Sequence, residues 1–429
     1  MSTMRTPLLF SLAAIALLGA LPVLLPAGLL NASIQALIAA LFACAYSLLA
    51  GRAGMLSFGH AAYFGVGAFA TVHAMNALGG TGLLPTPLMP LVGAVGGLGF
   101  GLVAGWFATQ RSGTAFAMIT LAIAELLHAL APQLKGWFGG ESGISTMRMP
   151  AWGMSFGSTT QVYYLTLAWV LVSLALLYFH TRTPLGRLTL ALRENEHRLR
   201  FLGYDVHGLG VSAFAISPMF SGIAGGLQVM GNESANYVVF DAGVSATVVL
   251  NSYIGGVGSF LGPALGAALM SFFGYAVSDT TQSWLLYQGV LFVLVMMFMP
   301  QGLTGLVAAT VRLITRHGFV AVLPLALSAV FAGLLLAGGA VFVVEMLQRL
   351  FSQDYRSLAR MGGSAPPVLL FGRAWSAAAL GTWIVPAGLL AAGALMTGVA
   401  QRCHRALALA AASREAPAPA ATLGERVLP

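Results

Sequence analysis

HTRTPLGRLTLALRENEHRLRFLGYDVH, residues 180–207, is a long polar stretch in a chain that is otherwise nearly uncharged. It carries Arg182, Arg187, Arg193, Arg198 and Arg200 together with Glu194, Glu196 and Asp205. Only 7% of the 429 residues are Asp, Glu, Lys or Arg, and 58% are hydrophobic. A soluble chain of ordinary composition is about a quarter charged. On either side of the polar stretch lie apolar runs of about 20 residues, the length that crosses a bilayer. The runs are continuous, whereas β-barrel strands alternate and are short. The expected fold is all-α, a polytopic transmembrane helical bundle. The polar stretch must then lie outside the hydrocarbon, and its arginines put it on the cytoplasmic side.

Working outward, six spans fit before it, at about 8–28, 32–50, 55–77, 87–108, 113–134 and 161–180. Four follow, at about 209–230, 241–256, 259–277 and 285–303. With a cytoplasmic N-terminus, Arg52, Arg111, Arg312 and Arg316 all fall on the cytoplasmic side, while Lys135 and Arg148 are exceptions in an outer loop. The 241–256 span is short enough to be tilted, broken or re-entrant. Glycines recur every fourth residue at Gly97, Gly101 and Gly105 and again at Gly258, Gly262 and Gly266, a flat stripe for close helix packing. The core therefore comprises about ten transmembrane helices over residues 1–316. Residues 317–403 add about two more membrane segments, with an amphipathic, interfacial stretch at 345–360. The Pro- and Ala-rich tail, 404–429, is expected to be disordered.

The net charge of +8 is no sign of nucleic-acid binding, because the basic residues sit in short loops that topology explains. Cys44 and Cys403 imply no disulfide framework. The apolar run that follows Arg5 exceeds the roughly 7–15 residues of a signal-peptide core, so it reads as an uncleaved first helix. A phosphate-binding Walker loop needs Gly-Lys-Ser or Gly-Lys-Thr. The sole lysine, Lys135, is followed by Gly136, so any ATP must be bound by another subunit.

Three groups of polar residues are candidates for function. Ser57 and His60 stand in a glycine-rich run just inside a span, where they either line a path or cap a tight packing contact. Glu125 lies in the middle of a span with His128 on the same helical face. An intramembrane carboxylate is costly and marks either a pathway or a structural pairing. Two groups are too few for a zinc site, so no metal is expected. Glu141 and Ser142 lie in an outer loop, where they would meet a soluble partner or simply be solvated.

The glycine-rich run also resembles a known family. LSFGHAAYFGVGAF, 56–69, is similar to the early signature of the permease subunits of branched-chain amino-acid ABC importers, the LivM-like group. FGGESGI, 138–144, resembles the family's outer-loop pattern. TPLGRLTLALRENEHRLRFLGYDV resembles its cytoplasmic loop. SAFAISPMFSGIAGGL and IGGVGSFLGPALGAAL follow in the family's order. The likeness covers about residues 30–310 and leaves 318–429 without a counterpart.

That resemblance implies a permease in the bacterial inner membrane that imports branched-chain amino acids or a related small polar substrate. It implies two ATPase subunits, a second homologous permease and a periplasmic binding protein as partners, with ATP bound by those partners and no cofactor of its own. It also implies that 180–207 couples to the ATPases through Gly186, Arg187, Arg193, Glu194, Asn195 and Gly203. Independently, Pro184 can open a helix there and Gly203 can end one. Two other classes stay open. A secondary transporter would carry several charges mid-membrane, where mainly Glu125 stands. A membrane enzyme would need a nucleophile, base and oxyanion site, and no such set is evident.

Overall fold

The structure, a computed structural model, describes residues 5–415 except 279–280, 282, 300, 354, 358–366, 371 and 377–378. It divides into two compact units. The first runs to the end of helix α12 and includes Trp284–Leu306; the second comprises Thr281–Ser283 and the chain from Val307 onward. The sequence boundary at 316 falls inside the second unit.

In the first unit the helices are α1 (Arg5–Leu24), α2 (Ala27–Ser47), α3 (His60–Leu78), α4 (Pro90–Ala108), α5 (Gly113–Leu130) and the single turn α6 (Lys135–Phe138). They continue with α7 (Thr159–Arg182), α8 (Pro184–Glu194), α9 (Glu196–Phe201), α10 (Val206–Asn232), α11 (Ala242–Gly255), α12 (Gly262–Ser278) and α13 (Trp284–Phe298). Apart from the single turn α6 and the polar α8 and α9, these fall where the apolar runs do. α2 is apolar on every side and accordingly sits at the centre of the core, against α7, α10 and α12. It ends in a π-helical turn, Leu48–Ala53, a rare geometry often found where a helix serves a function. Among the described residues, seven helices are long and apolar enough to cross a membrane, five of them in this unit. α11 has only 14 residues, or about 21 Å of rise, too little for a core about 30 Å thick.

Glycine sets how closely these helices approach. A Cβ on Gly222 of α10 would sit 2.1 Å from the Gly93 carbonyl of α4, and one on Gly97 would sit 2.2 Å from the Pro218 carbonyl. The Gly97, Gly101 and Gly105 stripe therefore packs on α10. In the other stripe Gly262 and Gly266 face Gly256 and Asn251, but Gly258 meets nothing within 4 Å.

The second unit contains most of α14 (Gly302–His317), α15 (Phe319–Phe351), a hairpin of β3 (Val368–Leu370) and β4 (Arg373–Trp375), and α16 (Leu380–Glu415). α15 and α16 pack against each other and leave most of their apolar surface uncovered, as lipid-facing helices do. Of the interfacial stretch expected at 345–360, the described residues are helical at 345–351 and again, past Ser352, at 353 and 355–357. Residues 345–351 are the last turns of α15, whose 33 residues rise about 50 Å. Their Met346 and Leu350 are held by Val368, Leu370 and Trp383, and Glu345 is buried, accepting from the Thr281 hydroxyl. Asp354 and Arg360 lie outside the described residues, as does the tail from 416. Residues 404–415 are helical, the end of α16.

Candidate functional site

The polar stretch folds as two short helices. Thr183 caps α8, its hydroxyl accepting the Gly186 N–H at 3.2 Å, and Pro184 takes the first helical position. The single helix expected between Pro184 and Gly203 is broken at Asn195, which is extended and whose side chain caps α9 by accepting the Arg198 N–H at 2.9 Å. Asn supplies that cap because its short amide reaches back to the first turn. Gly203 then takes a left-handed conformation, φ +84°, just past the end of α9. Gly186 is buried where a Cβ would meet the His180 carbonyl at 2.1 Å.

The outward side of this pair presents Arg187, Glu194 and Arg198, all exposed. Arg193 is exposed as well, but its guanidinium is engaged. Its guanidinium donates to the Gly51 carbonyl in the π-helical turn, and its side chain lies against Gly54. α8 is thus fastened by an arginine to the π-helical turn that ends the central helix α2. Sequence reading placed Arg193 in the coupling segment but had no means of naming Gly51 as its partner.

Beyond the π turn the chain runs irregularly through 54–59 and starts α3 at His60, inside the bundle. Irregular backbone at that depth persists only where protein satisfies it. Here the Thr120 hydroxyl of α5 accepts the Phe58 N–H at 3.2 Å. The Ser245 hydroxyl of α11 accepts the Ala61 N–H at 2.9 Å. His60 joins the two sides. The Ser217 hydroxyl donates to the Ala45 carbonyl at 2.7 Å, so it accepts from His60 Nε2 at 2.9 Å. His60 Nδ1 therefore accepts from Ser57 Oγ at 3.1 Å, and Ser57 in turn accepts the Gly59 N–H at 3.3 Å. The network assigns the neutral imidazole with its proton on Nε2. Ser57, His60 and Ser217 are all 0% exposed, and Tyr46 and Tyr63 set their ring edges or faces against the imidazole at 5.0 and 5.6 Å. The knot links α2, α3, α5, α10 and α11. Within this subunit neither Ser57 nor His60 is open to a solute.

Glu125 is placed differently. It is exposed on α5, a helix with one weakly covered face. Glu125 and His128 form no hydrogen bond with each other; the His128 ring lies 5.6 Å from Tyr237, and its buried Nδ1 has no partner among the described residues. Among the described residues the two side chains do not pair with each other.

On the opposite side from the arginine-rich helices, β1 (Ile144–Ser145) and β2 (Ser234–Ala235) form a small antiparallel ladder. Arg148 pairs with Glu233 at 3.2 Å and donates to the Met230 carbonyl at 2.8 Å. Arg148, an exception to the expected positive-inside pattern, thus staples the loop after β1 to the end of α10. Glu141 and Ser142 are exposed beside this ladder, in a turn with Gly139, Gly140 and Gly143 at positive φ.

Residues 28–300 match the family described as branched-chain amino acid transport system / permease component. The chain is 27% identical over 329 residues to the high-affinity branched-chain amino acid transport system permease protein LivM of Salmonella typhimurium, covering 71% of this chain and 76% of that protein. It is 26% identical, over the same shares, to LivM of Escherichia coli. It is 23% identical over 286 residues to the permease protein BraD of Pseudomonas aeruginosa, covering 62% of this chain and 91% of that one. No solved structure gives a significant match.

Proposed function

This chain belongs to the branched-chain amino acid permease family, and from that premise we propose that it works as half of the membrane channel of an ATP-driven importer in the bacterial inner membrane. Its cargo is a branched-chain amino acid or a related small polar solute. It acts with a second homologous permease, two ATPases and a periplasmic binding protein. ATP is bound by those ATPases, and the chain needs no cofactor.

The observation that carries the mechanism is the fastening of Arg193 to Gly51. α8 and α9 offer Arg187, Glu194 and Arg198 to the ATPase, which shifts as it binds nucleotide. Gly186, Asn195 and Gly203 shape the two-helix platform. Arg193 passes the displacement to the π turn, whose wider hydrogen-bond pattern gives α2 a place to bend. The segment 54–59 and the His60 knot then carry it to α3, α10 and α11, and the permease alternates between outward and inward openings. Ser57 and His60 thus serve the pathway by transmitting movement.

Glu125 lines the solute path, on an α5 face that the second permease covers. A carboxylate on a bare lipid-facing surface would be strongly unfavourable, so that face requires a polar or protein neighbour. Glu141 and Ser142 sit where the binding protein delivers its solute.

The test compares Arg193→Ala with Arg187→Glu in the assembled complex. Loss of the inner fastening in Arg193→Ala should leave the ATPases bound but their hydrolysis insensitive to loaded binding protein. Reversal of an outward charge in Arg187→Glu should weaken ATPase co-purification. Unchanged coupling in Arg193→Ala would refute the transmission role.

A further inference from the structure

We propose that the arginine-lined cleft between the α4–α5 turn and the coupling helices is a binding site for one anionic phospholipid. The cleft has a volume of about 1070 Å³ and is bounded by the segment after the π turn, the α4–α5 turn, α8, α9 and the start of α10. Its charged lining is Arg111, Arg193, Arg200, His207 and Glu196. Three guanidiniums against one carboxylate leave a charge of +2 with His207 neutral. Glu196 is engaged by Arg200 at 2.9 Å, and Arg193 by Gly51. Arg111 has no carboxylate partner among the described residues, where the ion pairs are Arg148–Glu233 and Arg200–Glu196.

Beside Arg111, the first turn of α5 presents N–H groups that the Ser112 side chain does not cap. The mouth of the cleft therefore recognises a phosphate. The rest of the lining is of another kind: Leu56, Phe116, Ala117 and Met118 form an apolar wall that continues into the bundle. Met118, one turn further along α5 from the basic end, is 67% exposed and leaves this apolar side of the cleft open. Basic groups at one end and hydrocarbon at the other match an amphiphile, not a free ion.

The level of the cleft in the membrane points the same way. Trp106 on α4 is 56% exposed and sets its ring 4.9 Å from His207 on the cleft wall. Exposed tryptophan marks the headgroup level of a bilayer. The cleft lies at the arginine-rich, cytoplasmic end, where the leaflet carries anionic lipid and basic pockets between helices hold its headgroups. The volume exceeds the roughly 300–1,000 Å³ of ordinary small-molecule pockets, so a lone phosphate would leave most of it empty. A phosphatidylglycerol headgroup with the first part of its acyl chains fills it.

The test uses the full-length chain, with whatever subunits co-purify, in nanodiscs of phosphatidylcholine with or without phosphatidylglycerol. Lipid retained after detergent exchange is counted by native mass spectrometry. One phosphatidylglycerol per chain should remain in preference to phosphatidylcholine. Each basic residue near an anionic leaflet strengthens attraction roughly fivefold. Arg111→Gln/Arg200→Gln should therefore lower retention about 25-fold, and Arg111→Lys/Arg200→Lys should keep most of it. Arg312→Gln, outside the cleft, should change nothing. Equal retention of the two lipids, or no loss in the Gln pair, overturns the proposal. So does displacement of the lipid by inorganic phosphate, which would make this a free-anion site. Full burial of the cleft by an ATPase with no lipid retained overturns it as well.

Discussion

Replacing His60 by Phe tests whether the buried knot holds the permease together. The ring volume is nearly kept, so little cavity forms, but both hydrogen bonds of the imidazole are lost. Ser57 Oγ loses its acceptor at 3.1 Å and Ser217 Oγ loses its donor at 2.9 Å, each at 0% exposure. A buried polar group left unsatisfied costs about 1–3 kcal/mol. Each serine keeps one other partner, Gly59 N–H or the Ala45 carbonyl, which argues for the lower half of the range. The expected loss is about 2–4 kcal/mol, or a melting temperature lower by about 2–4 °C for a protein of this size. Because the two groups share a bond, Ser217→Ala should cost less in the His60→Phe background than in the native one. Intrinsic fluorescence on heating the detergent-solubilised protein would measure all three variants. Two results refute the reasoning. An unshifted melting temperature in His60→Phe would mean the bonds contribute nothing. Full stability with transport abolished would put the imidazole on the solute path.

Gly59→Ala would place a Cβ 2.0 Å from the backbone carbonyl of Thr120, which cannot move away as a side chain could, so membrane-inserted yield should collapse. In a background lacking Cys44 and Cys403, a cysteine at Ser142 should label from outside the cell and one at Asn195 only after permeabilisation; external labelling at Asn195 would invert the orientation. A chain ending after Arg316 should still insert and co-purify with its ATPases, since the family match ends at residue 300; loss of ATPase association would assign the last two long helices to the core machine.

The helices of the first unit were legible because apolar length and a break of charge are strong local signals. Residues 180–207 were legible for the same reason, down to Pro184 and Gly203 as boundaries. The break at Asn195 was missed because a mid-segment Asn caps a helix only when its own backbone turns extended, which tertiary packing decides. The π turn at Leu48–Ala53 carries no signal within an apolar run, and the start of α3 inside the bundle was read as part of one span over 55–77. The spacing of Ser57 and His60 allowed proximity and no more, while Ser217 meets His60 and Ser245 meets the Ala61 N–H across 157 and 184 residues of sequence. Ser217 and Ser221, one helical turn apart in α10, were the available hint. Amphipathic spacing at 345–360 suggested an interfacial helix, but Met346 and Leu350 face a small core built with the β3–β4 hairpin.

The central claim is that this chain moves its solute only when separate ATPases drive it. Proteoliposomes holding the permease with its ATPases, its partner permease and a loaded binding protein would be assayed for uptake of labelled leucine, isoleucine or valine. The account predicts uptake that requires ATP hydrolysis, rises with loaded binding protein and fails in Arg193→Ala despite intact assembly. Uptake by the chain alone, powered by an ion gradient and indifferent to ATP, would contradict it.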